Sequence, residues 1–404
     1  MSIQKKRFAY FGLLFSLLLS CLQVSAAMRV SLLTTTPTPS QGYTMWGHSA
    51  IRVQSDDFDR VFNYGVFSFG EGFIYRFVKG ETDYWLARES AASAIRDAER
   101  KGAFMFEQVL NLSEEEAQHL YQALMENALP ENRVYRYNFF FDNCATRPYY
   151  LIEKTLGGLD RPVFNNTKTY RDMTRDLTGR YQPWLSFGID LCLGSKADEV
   201  VTDEGLLFLP MELRRSFEKT QRKDGTPLVK EEIMVCSVPE TTDDYLVNSP
   251  LIVSLPSLAL LAFVVLWGAF RIWKKKKSNL YFIPDSIIFT LFGLVGILVF
   301  FLTFFSEHPC VTPNYNILWT NPMQLLVPVL SHTRVRHTQF YKGLVLLLLL
   351  MSLVVALGGW MLPQDFNFPT IIFSFVMSLC CLFQLQRVDF LKKMQMTKKS
   401  CSKS

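Results

Sequence analysis

A change of composition at Pro250 divides this chain and limits what it can fold into. Residues 28–245 have ordinary polarity, whereas apolar stretches follow at about 251–270, 287–305, 317–330, 344–362 and 370–386. Roughly 20 apolar residues suffice to cross a bilayer, so the second half reads as a membrane domain of five helices. The third stretch, ILWTNPMQLLVPVL, is short and holds Asn321, Pro322, Gln324 and Pro328. Intramembrane polar residues lean functional, and with Asn314, Tyr315 and Asn316 before it this stretch is expected to line a lipid-accessible groove.

Basic residues orient the spans. Lys274 to Lys277 follow the first, and no Lys or Arg occurs between Ser278 and Thr333. Arg334, Arg336 and Lys342 follow the third; Arg387, Lys392, Lys393, Lys398 and Lys399 follow the fifth. Positive residues stay in the cytoplasm, so five crossings put all three clusters inside and residues 28–245 outside. The start, MSIQKKRFAYFGLLFSLLLSCLQVSAAMRV, has a basic, then an apolar, then a small-residue region, which is a secretory signal cleaved near Ala26 or Ala27. LLSC ending at Cys21 is an imperfect lipoprotein-type alternative. The expected layout is a signal peptide at 1–27, a periplasmic domain at 28–248, a transmembrane domain at 249–390 and a basic cytoplasmic tail at 391–404, in the inner membrane. The net charge of +5 sits largely at membrane edges, which leaves no basic stripe for nucleic acid. The chain has no phosphate-binding glycine loop, no internal repeat and no metal-spaced His/Cys cluster, so no cofactor or metal is expected.

Within the exported half, FFFDNCATRPYY (139–150) stands out. Asp142 or Asn143 is available as an N-cap, a helical run follows, and Pro148 lies near the first turn, where a missing N–H is tolerated. Cys144 thus lies at the mouth of a helix, whose partial positive charge favours a thiolate. The alternative is a buried cysteine acting as a small hydrophobe. A cysteine nucleophile needs a base within hydrogen-bond reach. Apart from His119, which falls off the apolar stripe of the helix opened by the Ser113/Glu116 capping box, the soluble half offers only His48. His48 opens the strand HSAIRV, and a short acidic turn leads to RVFNYGVFSF, so a hairpin brings Asn63 near it. Asn63 or Tyr64 is available to orient the imidazole. A hydrogen-bonded strand histidine is an equal reading of His48, and a turn or strand-end asparagine is the plainer reading of Asn63.

EGFIYRFVKGETDYWLA is expected as a strand or a substrate-facing segment, and RVYRYNFFF as a strand entering the Cys144 stretch. Cys192 and Cys236 are a candidate disulfide in an oxidising compartment. His308 reads as an interfacial residue at the outer edge of the second span.

GHSAIRV, FNYG and FDNCATR resemble the permuted branch of the NlpC-type papain-like superfamily, which includes the lecithin:retinol acyltransferase-like enzymes. More closely, MWGHSAIRV, VFNYGVFSF, FVKGETDYWL, FFFDNCATRP, FGIDLCLGSKAD and HPCVTPNYNILWTNP resemble the lipoprotein N-acyltransferase (Lnb) family over both halves. The resemblance implies an α+β, permuted papain-like periplasmic domain followed by an all-α membrane domain of five helices. It implies Cys144 as nucleophile, His48 as base and Asn63 in place of a histidine common at the third position. The implied reaction moves a fatty acyl chain from a phospholipid donor to the N-terminal cysteine of a diacylated lipoprotein. The rivals are a membrane-tethered cysteine peptidase or amidase acting on cell-wall peptides, and a non-catalytic membrane scaffold.

Overall fold

The computed structural model describes residues 28–237, 258–259, 262–263, 266–270 and 283–401. The expected signal peptide, Lys274 to Lys277 and much of the first expected span lie outside the described residues, as do the side chains of the tail.

The first half is built on β1 (Arg29–Thr35), β2 (His48–Gln54), β3 (Asp59–Val66), α1 (Phe73–Lys79), β4 (Asp83–Ser90), α2 (Ala91–Lys101), β5 (Met105–Leu110), α3 (Glu114–Asn127), β6 (Val134–Arg136) and α4 (Thr146–Thr155). Then come β7 (Leu159–Asp160), α5 (Tyr170–Tyr181), α6 (Pro183–Cys192), α7 (Pro210–Lys219), β8 (Gln221–Arg222) and β9 (Val229–Cys236). Seven strands form one antiparallel sheet in the order β6-β4-β3-β2-β1-β5-β9, with β7 and β8 as a separate ribbon. Successive strand residues point to opposite faces. Leu32, Ile51, Phe62 and Tyr64 pack with Leu120 and Leu124 of α3 and Tyr149 and Ile152 of α4. On the other face, Leu33, Ala50 and Val61 pack with Ala91 and Ala98 of α2. Parity places His48 and Asn63 on the α2 side of the sheet and Tyr64 on the opposite side.

The segment expected as a strand or substrate-facing stretch is helix α1 followed by β4. Gly72 and Gly80, both left-handed at φ 72° and 89°, bound the helix. The strand expected across RVYRYNFFF stops at Arg136, because the Asn138 side chain accepts the N–H groups of Phe140 and Phe141 and turns the chain. Cys192 and Cys236 are both free thiols, not a disulfide. Cys192 ends α6, whereas Cys236 ends an edge strand with its thiol on the Ala103 carbonyl.

The second half continues with α8 (Ile283–Phe305), α9 (Leu326–Ser331), α10 (Gln339–Gly358) and α11 (Phe368–Cys401). Among the described residues, three helices are long and apolar enough to cross a membrane: Asp285–Phe305, Gln339–Met361 and Phe368–Arg387. The third expected span is not one helix. It is two 3-10 turns, Tyr315–Leu318 and Pro322–Leu325, and the short α9. Asn314 and Asn321 start the turns by accepting the N–H groups of Asn316 and Met323, and Pro322 and Pro328 lack N–H donors. Its polar side chains do not line an open groove. Asn314, Asn316, Asn321 and Gln324 are buried, and several satisfy irregular backbone, as apolar surroundings require. Gln324 donates to the Trp319 carbonyl at 2.6 Å, and the Thr320 hydroxyl to the Phe292 carbonyl at 2.6 Å.

A polar joint ties the halves together. Arg171, 1% exposed, donates to the carboxylates of Asp190 and Asp198 and to the Leu193 and Gly194 carbonyls. Asp190 also accepts from Arg175 and, at 2.6 Å, from Asn367. Asn314 donates to the Leu191 carbonyl at 2.9 Å, and the Gly194 N–H to the Cys310 carbonyl at 2.8 Å.

The irregular segment lies on α8 through Gly293 and Gly296, where a Cβ at 296 would fall 2.5 Å from the Asn321 backbone. Gly296→Val should therefore lower stability by on the order of 3 kcal/mol, read as a lower melting midpoint of the detergent-solubilised protein. Gly358→Ala, where a Cβ meets nothing within 4 Å, should leave that midpoint within about a degree of the parent.

Candidate active site

His48 follows Gly47 and pairs in register with Thr35 at one end of the β1–β2 hairpin. Its Nε2 lies 2.6 Å from Asn63 Oδ1. The Asn63 amide is oriented by its other end, since Nδ2 donates to Glu89 Oε1 at 3.1 Å and a carboxylate only accepts. Oδ1 therefore faces His48 and accepts, which assigns the proton to Nε2 and leaves Nδ1 for the second ring contact, the Cys144 thiol. The structure thus brings His48, Asn63 and Cys144 together. Tyr64 is not with them: its hydroxyl accepts from Asn127 at 2.9 Å on the other side of the sheet.

Cys144, 8% exposed, is held by the residues around it. Asn143 Oδ1 accepts the N–H groups of Ala145 and Thr146 at 2.8 and 3.0 Å. Its Nδ2 donates to the carbonyls of Phe139 and Phe208 at 2.7 and 2.8 Å. Ala145 is the N-cap of α4 and makes no side-chain cap bond, so the Asn143 side chain holds the turn just ahead of the helix, and Asp142 pairs with the Arg147 guanidinium at 2.6 and 2.7 Å. The Arg147 guanidinium lies 3.5 Å from the Tyr135 ring centroid. On the sheet side, a bulge between Asn63 and Val66 and the left-handed Gly65 (φ 85°) make room for the cysteine. A Cβ at Gly65 would lie 3.5 Å from Cys144 Cβ, 3.3 Å from the Tyr137 ring and 3.8 Å from the Tyr135 hydroxyl.

The electrostatics favour a charged thiol. Burial pushes the Cys144 thiol up, but the charge of His48, its hydrogen bond, and the N–H groups of Ser49 and Cys144 outweigh burial and hold it below the ordinary 9.0. Burial likewise pushes the His48 imidazole down. The Cys144 charge and hydrogen bond and the bond to Asn63 reverse this and raise it above 6.5. Tyr135, 8% exposed, has a hydroxyl with no hydrogen-bond partner among the described residues. Burial first, and the neighbouring Cys144 charge second, push its ionisation far up, so it stays a neutral donor.

Glu89 is the member of this arrangement that the sequence did not disclose. It reaches Asn63 because β3 and β4 pair Val61 with Glu89 and Asn63 with Ala87, a register no local motif records. His308 links the halves, its ring on the Phe77 carbonyl at 2.7 Å. Among the described residues no group of three metal-ligating side chains is gathered.

The fold and the site together define a membrane protein whose α+β periplasmic domain carries a thiol paired with an imidazole at the end of an antiparallel sheet. Residues 23–176 match the family model of the Lnb N-terminal periplasmic domain, and residues 248–388 match that of the Lnb transmembrane domain. The chain belongs to the Lnb family. No curated protein and no solved structure matches it.

Alkylation of Cys144 by iodoacetamide should persist to lower pH than for an ordinary cysteine, falling off only as pH drops through the lowered thiol value. In His48→Gln burial remains without the imidazolium, so the profile should move to higher pH, toward or beyond 9.0. Coincident profiles for the two proteins would show that the ring does not charge the thiol.

Proposed function

We propose that this protein is a thiol-dependent acyltransferase that moves a fatty acyl chain from a membrane phospholipid to the α-amine of a lipoprotein's N-terminal diacylglyceryl-cysteine. The observation that carries this reading is the Cys144–His48–Asn63 arrangement, with its lowered thiol and raised imidazole, in a chain of the Lnb family. Cys144 is the nucleophile, His48 the base and acid, and Asn63 the residue that orients the ring.

In the first half-reaction the thiolate attacks the ester carbonyl. A C–S bond forms, the ester C–O bond breaks, and the imidazolium gives its proton to the departing glycerol oxygen. The products are a thioester on Cys144 and a lysophospholipid. The N–H groups of Ser49 and Cys144, already turned to the sulfur, and the unpartnered Tyr135 hydroxyl are donors for the developing oxyanion. In the second half-reaction the α-amine attacks the thioester. Its free pKa is about 8, so much of it is within reach of a neutral imidazole acting as base. His48 takes the amine proton, the C–S bond breaks, an amide forms and the thiolate returns. Both substrates are bilayer lipids, which accounts for an exported site carried on a membrane domain. The permuted papain-like topology, five crossings, inner-membrane location and the domain limits expected above belong to this proposal.

The test is expression in a strain without its own lipoprotein N-acylation, followed by mass spectrometry of mature lipoprotein N-termini. One added fatty acyl group is expected, absent in Cys144→Ala and reduced by on the order of 10²-fold or more in His48→Ala. Diacyl lipoproteins alongside altered cell-wall peptides would favour a peptidase instead, and no change in either would favour a scaffold. Tyr135→Phe should slow thioester formation by roughly tenfold or more without moving the pH profile of Cys144 alkylation.

A further inference from the structure

Helix α1 has no buried residue, yet it carries Phe73, Ile74, Tyr75 and Phe77, with Ile74 78% and Tyr75 60% exposed and Phe69 just before it 74% exposed. A soluble surface seldom gathers so much apolar area without a partner. Its position identifies the partner. The Tyr75 ring lies 6.2 Å from that of Phe301, four residues before the end of α8. At the helical rise this is roughly 6 Å below the helix end. Phe304 and Phe305 on the same end are also exposed. The placement is rigid. The Glu307 N–H donates to the Lys79 carbonyl at 2.7 Å, and the Ser306 hydroxyl to the Val78 carbonyl at 2.8 Å. Gly80 approaches Glu307 and His308 so closely that a Cβ there would lie 2.9 Å from the His308 backbone nitrogen. The apolar side of α1 is thus continuous with the outer end of a membrane-spanning helix, as in an interfacial amphipathic helix.

From this surface a chain of rings leads inward. Phe69 meets Phe73 at 4.9 Å, Phe73 stacks on Phe67 at 5.7 Å, Phe67 on Tyr84 at 4.8 Å, and Tyr84 meets Tyr137 at 4.6 Å. The Tyr137 ring and Cys144 Cβ flank the same point above Gly65, at 3.3 and 3.5 Å. A pocket opens beside this run between Phe67, Phe73, Arg76 and Tyr84. We infer that α1 rests in the outer leaflet and that the run Phe69–Phe73–Phe67–Tyr84–Tyr137 is the track along which the acyl chain of a glycerophospholipid reaches Cys144. This rests on the acyltransferase reading and specifies where its donor enters.

The test uses the full-length protein in phosphatidylcholine vesicles and measures acyl mass on the Cys144 peptide. Two donors are compared: the vesicle lipid, and p-nitrophenyl acetate, which reaches the thiol from water. In Ile74→Glu/Tyr75→Glu, two exposed residues of α1 outside the ring track, acylation by vesicle lipid should fall about tenfold or more, while acylation by p-nitrophenyl acetate stays at the parent rate. Phe73→Trp, which fills the pocket from inside, should lower use of p-nitrophenyl palmitate relative to the acetate several-fold. Unchanged vesicle-lipid rates in the double variant, as expected if a partner protein covers α1, would overturn the inference. So would equal slowing with both donors, since the effect would then come through the thiol. If the parent protein takes no acyl group from any ester, the acyltransferase reading itself falls, and the track with it.

Discussion

The structure depends on a thiol and an imidazole that draw each other toward their charged forms against burial. Out of water, a thiol resists ionising and an imidazole resists protonation. At Cys144 and His48 burial pushes each toward its neutral form, and each partner's charge and hydrogen bond reverse the push. Such a pair survives only where its remaining polar atoms are satisfied. Asn63 takes the far side of the ring, and Glu89 holds Asn63. The hydrogen bonds of the Asn143 side chain and the Asp142–Arg147 pair fix the loop that delivers the sulfur. The sheet supplies one half of the pair and the mouth of α4 the other.

The same economy of polar groups joins the site to the membrane. Arg171 and Asp190 are buried at the base of the exported domain, and nearly every polar atom they carry meets a partner. Some of those partners, Asn316 and Asn367, come from the membrane half. Cys310, from the loop after α8, joins Phe140 and Phe208 in one apolar cluster, a few residues from Cys144. The site is thus joined to the membrane half by packing as well as by chain connection. The irregular segment from Asn314 to Ser331 follows from this. Its asparagines and glutamine serve backbone and joint, so the polarity that made it look like a substrate groove has a structural use.

Several features were legible in residue order because they are local. The Ser113/Glu116 capping box forms as expected. His48 does open a strand, and Asn63 lies on the next one. Other features escaped because they depend on partners distant in sequence. α1 has few residues and no internal cap, and only its glycine boundaries and the clasp of residues 306–308 define it. The Asn63 versus Tyr64 alternative could not be decided from adjacency, yet strand parity separates them at once: one side chain goes to His48, the other to Asn127. An oxidising compartment offered Cys192 and Cys236 as a bridge, but both are free, Cys192 ending α6 and Cys236 ending the edge strand β9.

What the sequence determined by itself is set by short-range forces: apolar length divides the chain into membrane and exported halves, and capping and turn chemistry fix where helices begin. What only the tertiary structure decided is which groups meet. The β3–β4 register brought Glu89 to Asn63, the left-handed Gly65 admitted the sulfur, and the packing of residues 306–308 laid α1 against α8. Contacts of this kind arise from register and close approach across tens or hundreds of residues, and no local pattern encodes them.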